Sequence, residues 1–300
     1  MKFKHLIIAF SAVIALIVLI TTLLPLVVSG HLTAVTFKHV SLPLILFMAV
    51  LLICMSIFFF FNYRLFSLLE REDWPALAYY LEQKIYVKNR YTHQNVKLLA
   101  SSYLVISDFP SVLKLESKTT LIKPHLISKN VLIFGAARVL NGSHADAAGF
   151  FKAQLGKCGK KDKQWVHWFY GFSRLLSGSY LQAEDEFLSL AVTSDNVLIT
   201  GLSAYFLSTS IEKHSLSPKK CREMSENGRE RVKNAIKTLE NWKKDADNVG
   251  SEIHVAIIKK YIDSAGKWLF EERAAEPALY DDLPPPPADE ANSGSEKETT

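Results

Sequence analysis

Apolar residues run without a charge from position 6 to 28 and again from 40 to 61. Each run is long enough to cross a hydrocarbon core of about 30 Å as a helix. In the first, Leu, Ile, Val and Phe fill 16 of 23 positions. At roughly −0.3 to −0.6 kcal/mol each, insertion is favoured by about 5–10 kcal/mol. Pro25 and Pro43 fall near the connecting loop, where interrupting a helix does least harm. The pattern predicts a transmembrane helical hairpin over residues 1–61, with spans at about 6–28 and 40–61. Its first run exceeds the roughly 7–15 apolar residues of a signal peptide, which favours an uncleaved hairpin over a leader ending at the small residues "VSG".

Beyond residue 61 the apolar positions take helical spacing and begin to repeat. Asp73-Trp74-Pro75, followed by Leu77, returns as Asp108-Phe109-Pro110, followed by Val112. Further on, "FGAARVLNGSHADAAGFF" from Phe134 aligns without gaps with "YGFSRLLSGSYLQAEDEF" from Tyr170. Gly135 pairs with Gly171, Gly142 with Gly178, Ala147 with Ala183 and Phe151 with Phe187. Stepping back by 35 from Gly142 reaches Ser107, and again Glu72. Constant spacing of this kind marks a repeat architecture.

Within one unit, Trp165, Trp168, Phe169, Phe172 and Leu175-Leu176 recur at intervals of three and four, as do Tyr180, Ala183, Phe187 and Leu190 after Gly178. The unit is therefore predicted as helix, short turn, helix. Pro75 and Pro110 sit in the first turn of their second helices, where the missing N–H costs nothing. Small residues at 100, 135 and 171 let paired helices approach, and Phe151 and Phe187 fill the space between units. Such units bury their apolar faces only by stacking, which predicts an all-α solenoid.

This pattern resembles the tetratricopeptide repeat family, whose unit has a large–small pair, then Gly-x-Tyr-x-x-Ala-x-x-x-Phe and a closing Pro. Tyr170-Gly171, Gly178, Tyr180, Ala183 and Phe187 carry the likeness in one copy. Phe134-Gly135, Gly142, Ala147 and Phe151 carry it in another, with His144 in place of the Tyr. The copy around Ala100 keeps Tyr103, Phe109 and Pro124 but has Glu116 where Phe is expected, and the copy at Leu65 is the most divergent. The resemblance covers about 62–197. Two spans followed directly by such repeats is similar in arrangement to HemY-type inner-membrane proteins.

The second span leads into "NYRLFSLLERE" without a breaker, so one rod is expected to continue into the first repeat. Residues 198–274 are expected to form further helices and a C-terminal cap. A buried helix is expected at 197–213, and another starts at Ser217-Pro218. A closing hairpin carries the stripes Val232, Ala235-Ile236, Leu239, Trp242 and Ile253, Ile257-Ile258, Tyr261-Ile262, Ala265, Trp268-Leu269. Residues 275–300, acidic and Pro-rich, are expected to be a disordered tail.

Charge sets an orientation. Lys2 and Lys4 lie outside the first span and Arg64 and Arg71 beyond the second, against Lys38 alone between them. The positive-inside bias puts both termini in the cytoplasm, and the HemY-type likeness implies the inner membrane. The overall +5 divides into −7 from Glu271 onward and +12 before it. A basic body is mildly attracted to an anionic membrane surface, although a solvated face accounts for the charge as well.

Cys54, Cys158 and Cys221 make no Cys-x-x-Cys pair, disulfide framework or zinc signature. "GKCGKKDK" (156–163) lacks the G-x-x-x-x-G-K-[ST] spacing and reads as a solvated loop. No catalytic, cofactor, metal or nucleic-acid site is expected. In the family it resembles, the first helix of each repeat lines a groove, which implies that Trp165, Trp168, Phe172 and Leu175 present a partner-binding patch, aromatic anchors being common at such sites. The alternative is that the 197–213 helix or the closing hairpin covers them. Of the two-Lys, two-Asn groove that clamps carboxylates in some members, Lys97 is the only element. The expected function is a membrane-anchored scaffold or adaptor recruiting protein partners at the cytoplasmic face. The alternatives are a non-catalytic tethering subunit of a haem or envelope enzyme, or a structural part of a larger membrane machine.

Overall fold

The computed structural model describes residues 42–250 and 252–271, with several residues between 12 and 20. Most of the first expected span, the loop between spans and the tail at 275–300 lie outside the described residues. Every regular element among the described residues is helical, and they contain no strand. The protein is all-α. The chain divides into two compact units, Met1–Lys84 and Ile85–Thr300.

In the first unit α1 runs unbroken through Leu42–Glu70, 29 residues, as the lack of any breaker after residue 61 requires. The boundary expected at 61/62 therefore falls inside a helix. No described side chain of α1 is buried. The described residues between 12 and 20 are also helical and exposed. α2 (Trp74–Glu82) follows, capped by Asp73, whose side chain accepts from Ala76 N at 3.1 Å.

The second unit begins with α3 (His93–Val105), α4 (Phe109–Ile122), α5 (His125–Lys129) and α6 (Val131–Leu140). α7 (His144–Gln154), α8 (Lys160–Leu176) and α9 (Tyr180–Thr193) follow, and then α10 (Val197–Phe206) and α11 (Pro218–Ile236). α12 (Leu239–Val249), α13 (Ile253–Ile257) and α14 (Lys259–Phe270) complete it.

One turn recurs along the chain. Glu72 (φ 54°), Ser107 (58°), Gly142 (74°) and Gly178 (79°) all adopt the left-handed conformation. Each donates its N–H three residues back, to Leu69, Leu104, Val139 and Leu175, at 3.0–3.2 Å. The next residue donates five back, Asp73 to Leu68, Asp108 to Tyr103, Ser143 to Arg138 and Ser179 to Arg174, at 2.8–3.2 Å. This paired closure satisfies carbonyls that a helix C-terminus otherwise leaves orphaned. The following Asp or Ser then starts the next helix. The same local chemistry thus ends one helix and begins another at the spacing read from the sequence.

The glycines expected at close approaches are there. A Cβ on Gly135 would overlap the Phe151 ring, and one on Gly171 would stand 3.1 Å from Glu186 Cβ and 3.3 Å from Phe187. Phe151 also stacks on Phe169 of the following pair, centroids 5.6 Å apart, so the same ring fills both contacts.

The C-terminal helices differ in detail from expectation. The helix at 197–213 is α10, then a π turn and a short 3-10 turn. The Val232–Trp242 stripe is split by Lys237 (φ 66°). There the Thr238 hydroxyl accepts from Asn241 N and starts α12. The Ile253–Leu269 stripe is divided at Ile258 into α13 and α14. Buried Trp242 locks them, its Nε1 donating to Ile262 O at 3.0 Å. It occupies a slot in which a Cβ on Gly201 or Gly266 would come within 2.6 or 2.7 Å of its ring.

Candidate functional site

The four residues expected to form a partner patch are core. Trp165 is 7% exposed, Phe172 2%, and Trp168 and Leu175 not at all. Trp168 stacks on Phe172 at 4.9 Å, and Phe206 of α10 lies 5.9 and 5.6 Å from the two rings. Tyr261 of α14 closes on Phe172 at 5.3 Å, and His254 of α13 on Trp165 at 5.2 Å. Aromatic side chains bury about 150–250 Å² each, so the chain's own later helices gain most by covering this face. That corrects the partner patch expected at these four residues; of the two readings of this face, the one in which later helices cover it holds. Trp165 also borders a cavity.

That cavity, about 470 Å³, opens among α3, α5, the starts of α6 and α8, and the α12–α13 connection. The size suits a small ligand or a few residues of a peptide. Its lining is about half polar and half apolar, with Leu132, Ile133, Trp165, Val249 and Ile253 beside the charged groups. Lys97, Lys129 and Lys161 come from three different helices and face Asp162 and Glu252. Lys97 Nζ bonds Glu252 Oε2 at 2.9 Å across 155 residues of sequence. That hydrogen bond holds the Glu252 carboxyl below its ordinary pKa, while burial raises that of Asp162. Among these five side chains lysines outnumber carboxylates, so the lining favours an anionic group.

Two buried polar atoms of lining residues have no hydrogen-bond partner. Asn130 Nδ2 donates to Leu126 O at 2.8 Å, but Asn130 Oδ1 accepts nothing. His254 Nε2 is likewise unpaired. The ring is wedged against Trp165 and Phe169, and burial lowers the His254 pKa to about 4, so it is neutral near pH 7. Unpaired buried polar groups are expensive, and both of these residues border this lysine-lined cavity. Among the described residues no three His, Cys, Asp or Glu converge as metal ligands.

Two of the lining groups, Lys161 and Asp162, belong to "GKCGKKDK", expected to be a solvated loop; its second half is instead the first turn of α8. His144, which stands in place of the family's Tyr, is half-buried at the start of α7 with Nδ1 unpaired, away from the cavity lining.

Residues 111–271 match the family model described as "Uncharacterised Treponema protein". The chain belongs to this family. A Treponema pallidum (strain Nichols) protein, described as "Uncharacterized protein", is 28% identical over 216 residues, covering 70% of this chain and 69% of that protein. No solved structure matches. The family span takes in Lys129, Asn130, Lys161, Asp162, Glu252 and His254, and leaves Lys97 and α1 outside.

Proposed function

We propose that this protein is a membrane-anchored helical-repeat scaffold that holds protein partners at the cytoplasmic face of the inner membrane. In this reading α1 is the second of two spans, both termini are cytoplasmic, and the helix pairs form a solenoid resembling tetratricopeptide repeats. The observation that carries it is α1 itself. Leu46, Phe47, Phe60 and Phe61 are all more than 60% exposed, an environment that suits lipid and not water. Residues Ala49–Glu70 are long and apolar enough to cross a membrane. The four equally built turns support the repeat reading.

The burial of Trp165 and Trp168 moves the recruitment site to the lysine-lined cavity. A partner segment bearing carboxylates would meet Lys129 and Lys161, and its main chain would find the unpaired Asn130 Oδ1. Reporter fusions test the anchor. One after Thr300 or in the 157–163 segment reads cytoplasmic, and one near Thr33 reads exported. An exported C-terminal reporter would overturn the topology. A photo-crosslinker at Lys129 should trap a partner that one at Leu216 does not, and Lys129→Glu with Lys161→Glu should abolish its capture. Equal trapping at both positions rules out the cavity.

A further inference from the structure

Two segments of the C-terminal unit lie side by side and carry one sign of charge. Lys118 Nζ stands 4.1 Å from the centre of the Tyr86 ring, and Lys123 Nζ donates to Tyr91 O at 3.1 Å. The chain between the two tyrosines turns at Asn89 (φ 51°) and exposes Lys88 and Arg90. Residues 87–94 and 117–129 together hold Lys88, Arg90, Lys118, Lys123 and Lys129, and no Asp or Glu. On the same segments three aliphatic side chains stand in the open, Val87 at 71% exposure, Leu121 at 86% and Ile122 at 48%.

A merely solvated basic face has no use for an aliphatic side chain as exposed as Leu121. Aliphatic tips set among cations match the boundary between anionic headgroups and acyl chains. Single-stranded nucleic acid would instead need aromatic platforms, and here Tyr91 is buried and Tyr86 partly so. The tether also fits. Between Glu70, the end of α1, and Val87 lie three loop residues, the nine-residue α2 and a π turn, at most about 30 Å of chain.

We propose that this patch docks on an anionic bilayer surface, Val87 and Leu121 entering the headgroup–acyl boundary while Lys88, Arg90, Lys118 and Lys123 pair with lipid phosphates. The proposal rests on the membrane-anchor reading and adds a second, charge-dependent contact to it. Docking holds the repeat body against the membrane instead of leaving it on a free tether.

The test uses the full chain in vesicles of phosphatidylcholine, with or without phosphatidylglycerol. A fluorescent amino acid replaces Leu121 or, as control, Leu216, and doxyl-labelled lipids serve as quenchers. Resistance to carbonate extraction reports the anchor independently. The expected result is quenching at Leu121 in anionic vesicles only, and none at Leu216. Lys88→Ala with Arg90→Ala should reduce the docked-to-undocked ratio about 30-fold, near fivefold per basic residue. Carbonate resistance without quenching at Leu121 overturns the patch and keeps the anchor, the result expected if the cations serve an acidic protein or nucleic acid. Quenching at Leu121 with carbonate release keeps the patch and overturns the anchor. Loss of both overturns both.

Discussion

Arg138 grips Glu116 through two parallel hydrogen bonds, Nη1 to Oε2 at 2.6 Å and Nη2 to Oε1 at 3.1 Å. Both side chains are 12% exposed. Glu116 stands 35 residues before Phe151, at the position where two other copies place a ring against a glycine. In this copy an ion pair replaces that ring. It joins α4 to α6, and Arg138 also reaches Asp146 of α7 at 2.8 Å. Burial still raises the Glu116 pKa, although Arg138 opposes the rise.

Removing one partner should therefore hurt more than removing both. Glu116→Ala is expected to cost about 3 kcal/mol, because a buried guanidinium loses its main counter-charge. The pair Glu116→Met and Arg138→Met should be much closer to neutral. Urea unfolding followed by circular dichroism, on the chain in detergent, gives the coupling. Additive single effects would show that the pair does not act as a unit.

The aromatic cluster predicts the behaviour of the corrected site. Trp168→Ala should cost about 3–5 kcal/mol through the cavity it leaves, with loss of cooperative melting. A Trp168→Ala chain melting like the parent would put this side chain back on the surface.

Space sets the order of two glycine substitutions. Gly135→Ala should destabilise by about 1–3 kcal/mol, since the Phe151 ring it meets is fixed against Phe169. Gly171→Ala, with first contacts at 3.1 Å and 3.3 Å, should cost less. Thermal melts that reverse the order would contradict the packing.

The repeated turn makes opposite predictions at equivalent positions. Gly178→Ala forces a Cβ into the left-handed region and should cost about 1–2 kcal/mol. Ser107→Gly relieves that strain and should stabilise by up to about 1 kcal/mol, less the entropy that glycine loses on folding. If both substitutions shift the midpoint the same way, the turns are not equivalent.

His254 gives a pH signature. Its pKa is about 4 when folded against about 6.5 when exposed, so the unfolded chain binds this proton more readily. The contribution is fully present above about pH 6.5 and is lost as pH falls toward 4, on the order of 3 kcal/mol in all. His254→Phe should flatten the melting temperature across that window. An unchanged slope would assign the acid sensitivity elsewhere.

What the sequence determined by itself is local and periodic. A run of apolar residues with no breaker had to become a single helix through Glu70. A glycine repeated at 142 and 178 marked the close of two helices, because such a turn depends only on backbone within six residues; that Ser107 and Glu72 close theirs in the same way was shown by the structure. Gly135 was legible as a close approach and Phe151 as a packing ring because both recur, at Gly171 and Phe187; that the ring sits against the glycine was shown by the structure. The tertiary structure alone decided which faces meet water. Trp165, Trp168 and Phe172 share a helical face whether it is open or covered, and only the return of α10, α13 and α14 across it settles that they are core. The cavity was out of reach for the same reason. Lys97 could be singled out, but its partner Glu252 lies 155 residues away, and neither "GKCGKKDK" nor His254 carries a local mark of what it will face. Burial of a charge is a property of the assembled surface, and periodicity along one helix holds no information about which later segment will cover it.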